Sequence, residues 1–286
     1  MKNPKKDFTV VMSVYKNDNP NYLKSAINSI IEQTLPPSEL IIISDGPLTI
    51  ELDEVINSYN YLRFIRLIRL DKNVGLALSR KEAIKKAKFN IIAVMDSDDI
   101  CVSDRFEKQI ELINPNSEVV VSGWIEEFDK VPCDIGQVRK TPTRYEKIVS
   151  YGKWRNPINH VTLMFTKKAY EKVGGYSSLR HSEDWDLISR MLVHDVKVVG
   201  IPKVVVHVRA GNEMIKRRRN IQQFKGEIKL FLKMYKIGYL NIFYLSANIL
   251  VRVVLRILPT FITKFTYKNL LRKNIWKQLK QKYVLD

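Results

Sequence analysis

Short apolar runs alternate with longer amphipathic stretches through the first hundred residues. The runs at 8–14 (FTVVMSV), 40–43, 63–70 and 91–95 are too short for core helices and are rich in Ile and Val. A run that is oily on both faces is the mark of a strand buried on both sides of a parallel sheet. Between the first two, Leu23, Ala26, Ile27, Ile30 and Ile31 recur at helical spacing after Asn19-Pro20, an N-cap followed by a first-turn proline. Further helices are predicted over 51–59 and over 76–87, the latter rich in good helix formers. The order β-α-β-α-β-α-β implies a parallel sheet with right-handed crossovers.

The second hundred residues alternate less regularly. Strands are expected at 119–122, 161–165 and 197–208, and short helices at 143–151 and 167–173, the last stopped by Gly174-Gly175. Residues 124–139 read as irregular. A helix over 184–192 carries Leu187, Ile188, Met191 and Leu192 on one side. The fold class is α/β, a Rossmann-like, mostly parallel sheet flanked by helices. A basic helical extension follows it. The expected division is 1–212 for the main domain, with halves 1–100 and 101–212, and 213–286 for the tail.

Charge sharpens that division. Residues 1–208 hold 30 Lys/Arg and 27 Asp/Glu, whereas residues 209–286 hold 18 and 3, so most of the net charge of +18 lies in the tail. Such asymmetry suggests an anionic membrane surface or nucleic acid. Two cysteines, Cys101 and Cys133, are too few for a disulfide framework and suit a reducing cytoplasm. The polar start, residues 1–7, leads to the expectation that no signal peptide is present.

Candidate chemistry gathers where strands end. The fourth run closes in Asp96-Ser97-Asp98-Asp99, three carboxylates in four residues. Their repulsion would be relieved by Mg²⁺ or Mn²⁺, which take hard oxygen ligands, and ligands of open α/β sheets bind outside the carboxyl ends of strands. The competing reading is an acidic helix start, with Ser103 capping a helix over 104–113. Ser13-Val14-Tyr15 ends the first run and Asp45 the second. Asn73-x-Gly75 precedes Arg80, and Glu183-Asp184 opens the later helix. Taken singly, Asp45 suits a turn before Gly46, Asn73 and Gly75 suit a tight turn, Arg80 suits an exposed helix face, and Glu183-Asp184 suits a helix N-terminus.

As an ordered set these stretches resemble the family-2 inverting glycosyltransferases of the GT-A fold, and more narrowly bacterial exopolysaccharide transferases of the amylovoran type. The stretches are TVVMSVYKND, SIIEQTLPPSELIIISDGP, NVGLALSRKEAIKKAKFNIIAVMDSDDICVSDRFEKQ, NPINHVTLMF, VGGY and SEDWDLISRM. The resemblance implies a sugar transferred from a nucleotide donor, most simply a UDP-sugar, to a glycan, with Mn²⁺ or Mg²⁺ as cofactor. It implies Ser13, Val14, Tyr15, Asp45, Asn73, Arg80, Asp96 and Ser97 at the donor, with Asp45 accepting from the uracil ring. Asp98, with Asp96, would be the metal ligand, and Asp99 would stand behind them. Asp184 would be the base that deprotonates the acceptor hydroxyl. Glu183, Trp185, His160 and Arg209 would lie on the acceptor side or just behind it. Trp185 suits either stacking on a sugar or the core. Arg209 and 216–219 would form a basic loop over the diphosphate.

The tail is read the same way. Residues 237–251 are uncharged but number fifteen, short of the roughly 20 that a spanning helix needs. Arg252, Arg256 and Pro259 then interrupt the run. The pattern predicts helices lying on the inner face of the cell membrane without crossing it, cations at the headgroups. That fits a cytoplasmic, peripherally attached enzyme whose acceptor is carried on a polyprenyl diphosphate. No nucleic-acid motif accompanies the basic charge, so nucleic acid is not the expected partner. Packing of these helices on the main domain is the alternative. A nucleotidyltransferase would also use paired aspartates, but Tyr15-Lys16-Asn17-Asp18 replaces the glycine-rich phosphate loop expected there.

Overall fold

The computed structural model describes residues 6–179, 182–210, 221–257 and 273–274. Strands β1 (Thr9–Val14), β2 (Glu39–Ser44), β3 (Ile65–Arg69) and β4 (Ile91–Asp96) are parallel in the order β3-β2-β1-β4. Helices α1 (Pro20–Ile31), α2 (Ile50–Asn57) and α3 (Leu76–Lys86) connect them. Asn19 caps α1 as expected, its side chain accepting from the Asn21 and Tyr22 amides. Strand residues alternate between two cores. Val11, Ile41, Ile43, Ile92 and Val94 pack with α3, and Val10, Met12, Leu40, Ile42, Ala93 and Met95 pack on the other face with α1 and α2. Burial on both faces is why these strands are continuous apolar runs.

The rest of the sheet is mixed. Two-residue β5 (Ile100–Cys101) is followed by α4 (Arg105–Ile110), β6 (Val119–Phe128) and β7 (Gln137–Arg139). After α5 (Tyr145–Gly152) and a 3₁₀ turn (His160–Thr162) come β8 (Met164–Thr166), α6 (Lys167–Lys172), α7 (Glu183–Val193) and β9 (Lys197–Arg209). β8 lies antiparallel to β4 and β6, while β6 and β9 run parallel. Lys273–Asn274 adds a short strand, β10, to β7.

Several expectations need correction. Residues 124–139 are not irregular throughout: β6 continues to Phe128, because a bulge at Gly123/Trp124 lets it keep pairing with β9 beyond the break. Residues 161–165 split into the 3₁₀ turn and a shorter strand. Ser103 does not cap a helix over 104–113; α4 starts at Arg105 behind Asp104, without a side-chain capping bond. Arg80 is not an exposed helix arginine: it is 2% exposed.

Where it is described, the tail packs on the main domain, the alternative weighed above. Helices α8 (Ile221–Lys236) and α9 (Ile242–Ile257) follow β9. Leu230, Phe231, Met234, Tyr239, Leu240 and Leu245 share a buried cluster with Trp185, Leu187 and Ile188 of α7. An ion pair between a half-buried lysine and a buried carboxylate reinforces the joint, with Lys233 Nζ 2.6 Å from Asp186. Arg190 holds the same carboxylate from within α7 at 2.8 Å. The Gly152–Tyr239 contact requires a glycine, since a Cβ at 152 would collide with Tyr239 Oη. Among the described residues no helix is long and apolar enough to cross a membrane. The expected basic loop at 216–219 and the tail beyond 257, apart from β10, lie outside the described residues.

Candidate active site

The carboxyl ends of β1, β2 and β4 come together. Ser13 pairs in register with Asp96, and its Oγ is 2.7 Å from Ser79 Oγ of α3. Val14 is buried, and its carbonyl accepts from the Asp45 amide. Tyr15 donates its amide to Asp18 at 3.0 Å. Asp45 is 3% exposed and organises the turn before α3: it accepts from Asn73 Nδ2 at 2.9 Å, the Val74 amide at 2.7 Å and the Gly75 amide at 3.0 Å. Three acceptances leave about one lone-pair site on this carboxylate for a ligand. Gly46 lets the two loops touch, with φ at +88° and the Asn73 amide 2.8 Å from where a Cβ would stand.

Asp96, Asp98 and Asp99 place one oxygen each within 4.8 Å of one another. Asp98 is the exposed member and Asp99 is sealed below it. Partial desolvation, then the charges of Asp96 and Asp18, push Asp98 up to about 6. Burial pushes Asp99 well up, although its carboxylate accepts the Arg209 amide at 2.9 Å. Hard oxygens this crowded fit a divalent cation. Asp18 is a member that the sequence reading missed: it accepts from Ser97 Oγ at 2.7 Å and is pushed up first by burial. The acidic end of YKND was its only signal.

Arg80 crosses from this cluster to the opposite wall. It forms an ion pair with Asp96 and lies 3.3 Å from His160 Nδ1. His160 Nε2 is 2.6 Å from Tyr176 Oη. An arginine only donates, so Nδ1 must accept, and the proton of a neutral ring sits on Nε2 and is donated to Tyr176. Burial, then the Arg80 charge, holds His160 well below the usual imidazole range, which agrees with a neutral ring. Asp96, Arg80, His160 and Tyr176 thus form one connected line. Tyr176, the last residue of VGGY, was quoted in the sequence reading but given no role.

Across the line stands the pair at the start of α7. Ser182, in the left-handed region at φ +64°, turns the chain into the helix. Asp184 Oδ2 accepts from Asn156 Nδ2 at 2.6 Å, and Oδ1 accepts from the Trp185 amide at 2.7 Å. Burial raises its pKa against the Trp185 hydrogen bond and the charges of Arg139 and Arg80. Glu183 is pushed up to about 7, by loss of hydration first and then by the Asp184 charge. Asn156 and Arg139 were not singled out from the sequence, because nothing in their spacing ties them to α7.

Two expected residues have other neighbours. Trp185 is 5% exposed; its indole donates to the Gly152 carbonyl at 2.9 Å and its ring meets Phe231 of α8 edge-on. That is the core alternative rather than a platform for a sugar. Arg209 lies beside the acid cluster, its guanidinium between the rings of Tyr22 and Phe128 and its Nε donating to the Asp98 carbonyl at 3.3 Å.

Glu183 yields a stability prediction. A carboxyl raised from 4.5 to about 7 in the fold contributes stability below pH 4.5 that is lost as pH rises through 7. Glu183→Gln is therefore expected to exceed wild type by roughly 1–3 kcal/mol at pH 8 and to match it near pH 4. Urea unfolding at the two pH values measures this, and an equal difference at both would remove the perturbed carboxyl.

An α/β sheet with carboxylates at the carboxyl ends of its parallel strands, faced by a second acidic pair on a helix, is the arrangement expected of a GT-A glycosyltransferase. The chain belongs to glycosyl transferase family 2, whose model matches residues 9–174. It is 34% identical over 267 residues to the Escherichia coli UDP-Gal:alpha-D-GlcNAc-diphosphoundecaprenol beta-1,3-galactosyltransferase, covering 93% of this chain and 97% of that one. It is 33% identical to an uncharacterized glycosyltransferase of Haemophilus influenzae, over 93% of this chain and 99% of the relative. The amylovoran biosynthesis glycosyltransferase AmsE of Erwinia amylovora is 29% identical, with 92% and 98% covered. Crystal structures of S. aureus TarS share the fold. One, in complex with UDP, has a TM-score of 0.59 at 15% identity and covers 92% of this chain and 75% of that one. This membership sets aside the nucleotidyltransferase alternative.

Proposed function

We propose that this glycosyltransferase carries out a single inverting displacement, from a UDP-sugar to a glycan on a polyprenyl diphosphate, in the assembly of a bacterial surface polysaccharide. The observation that carries the reading is the pair of facing acidic groups, Asp96-Asp98 and Glu183-Asp184, with Arg80 between them. A displacement of this kind needs one carboxylate to take the acceptor proton and needs no acid for a diphosphate leaving group. Asp184 has the first duty, and Asn156 and the Trp185 amide fix its two oxygens. Arg80 orients Asp96, and His160 and Tyr176 hold Arg80 in turn. Asp98 and Asp96 would hold Mn²⁺ or Mg²⁺, which when bound stabilises the departing diphosphate charge. Asp45 keeps a lone pair for the uracil ring. The names of the Escherichia coli and Erwinia relatives support the donor base, the carrier and the pathway class. Calorimetry with a panel of nucleotide-sugars in Mn²⁺ tests the donor; binding of every other nucleotide-sugar but no UDP-sugar would overturn that part.

The membrane belongs to the same reading. Helix α9 keeps an apolar face outward: Leu245 and Asn248 are buried, Asn248 bonding to the Lys153 carbonyl, whereas Ile242, Phe243 and Leu250 are each more than 60% exposed. Val251, Val253 and Val254 extend the outward apolar surface. In sequence, residues 209–286 carry a net charge of +15. An outward apolar face within a strongly basic segment suits an anionic lipid surface. Phe243→Ser with Leu250→Ser is expected to abolish flotation with anionic liposomes without altering the fold, since both side chains already face outward. Binding that is unchanged by these substitutions, or by high salt, would sink the membrane assignment.

A further inference from the structure

A cluster of mixed metal-binding donors lies on the same strands as the cleft wall but faces other groups. Glu126 on β6 pairs in register with His207 on β9, and His207 Nδ1 is 2.7 Å from Glu126 Oε2. Cys133, on the loop between β6 and β7, places Sγ 3.3 Å from that same oxygen. One donor atom from each of the three residues lies within 4.8 Å of the others. None of the three has a part in the transfer reading, and the inference below does not rest on it.

We propose that Glu126, Cys133 and His207 form a second metal site, selective for Zn²⁺, that clamps the 129–136 loop onto β6 and β9. The donor set is the first argument. One carboxylate oxygen, one imidazole nitrogen and one thiolate suit a borderline-soft ion, whereas the all-oxygen cluster of Asp96, Asp98 and Asp99 suits Mg²⁺ or Mn²⁺. Spacing is the second. Bonds of about 2.0–2.3 Å in tetrahedral geometry separate donors by about 3–4 Å, so the three need only small rotations to converge. The third argument is the supporting shell. Asp134 accepts from the amides of Asp129, Lys130 and Val131 at 2.9, 2.7 and 3.1 Å, which fixes the loop that presents Cys133. Glu126 and His207 come from adjacent paired strands, and a donor set on strands is held more closely than one on loops alone.

The proton balance is simple. Without metal the thiol donates to Glu126, and burial with that carboxylate as neighbour pushes the Cys133 thiol up. On binding, the thiol proton leaves to solvent and a neutral imidazole moves its proton from Nδ1 to Nε2. One proton is released per ion, so affinity rises with pH. A fourth position stays open to water. Because His207 stands two residues before Arg209, whose amide holds Asp99, the clamp would stiffen the strand behind the acidic cluster.

Co²⁺ is the probe, titrated into the full-length protein with excess Mg²⁺ present to fill the all-oxygen cluster. One equivalent is expected to produce a thiolate-to-cobalt charge-transfer band and tetrahedral visible bands, both bleached by Zn²⁺. Cys133→Ser and His207→Ala should each lose the charge-transfer band or its tetrahedral partner bands, while Asp98→Ala keeps both. Zn²⁺ should also slow amide exchange over 129–136 in wild type but not in Cys133→Ser, whose circular dichroism should match wild type. No thiolate band in wild type, or a band surviving in Cys133→Ser and therefore arising from Cys101, would overturn the site.

Discussion

Replacing Asp184 by Asn is expected to lower kcat by about 10²–10⁴-fold and leave donor affinity nearly unchanged, as loss of a general base does. The amide keeps the shape and can accept only one of the two hydrogen bonds, from Asn156 or from the Trp185 amide, and it cannot take the acceptor proton. Asn156→Ala removes the 2.6 Å hydrogen bond that orients Asp184, together with the 3.3 Å bond accepted from the Ile158 amide, and is expected to cost about 10-fold, again in kcat rather than in the donor KM. Steady-state kinetics with saturating acceptor and varied donor separate the two. Turnover like wild type in Asp184→Asn would take Asp184 out of the mechanism. Product analysis is an independent check, because retention of the donor's anomeric configuration contradicts a single displacement.

The second large effect is expected at the acidic cluster. Asp98→Ala should remove most transfer activity and make donor affinity independent of Mn²⁺ or Mg²⁺. In wild type, burial first and then the Asp96 charge raise the pKa of Asp18, Asp98 and Asp99, so removing a divalent cation leaves crowded carboxylates without a counter-charge. EDTA should therefore abolish activity, and either ion should restore it. An enzyme that stays fully active after EDTA and gel filtration would exclude the metal. Arg80→Lys probes the same cluster from its other side. Lys lacks the planar fork that reaches Asp96 and His160 together, so the variant is expected to lose activity by raising the donor KM. These two variants differ in their response to metal: only Asp98→Ala should lose it.

Much of this architecture is legible in one dimension. Strands β1 to β4 show as apolar runs because both faces are buried, and α1 announces itself through Asn19-Pro20 and an apolar stripe. Asp96 and Asp98 stand out because carboxylates closing an apolar run have no packing reason to be there, whereas Asp45 and Asp184, which singly suit a turn and a helix start, gain their roles from the resemblance. Local chemistry of this kind survives in the sequence because its cause lies within a few residues.

What the tertiary structure alone decided has causes far apart in the chain. Arg80 and His160 are 80 residues apart, and Asn156 and Asp184 are 28 apart. No periodicity links them, so Arg80 read as an exposed helix residue and Asn156 as nothing in particular. The expected strand ends at Ser122, short of β6, because a bulge at Gly123/Trp124 interrupts the pattern without ending the pairing. Trp185 next to the base suggested a sugar platform, but α8 covers it, and that helix lies 36 residues or more beyond it. The tail's charge separated it from the domain on paper. Its few inward apolar residues and the Lys233–Asp186 ion pair joined it in space, because a basic helix needs only one oily stripe to dock. The sequence by itself determined the sheet, its helices and the carboxylates at its rim; folding chose which distant side chains hold them.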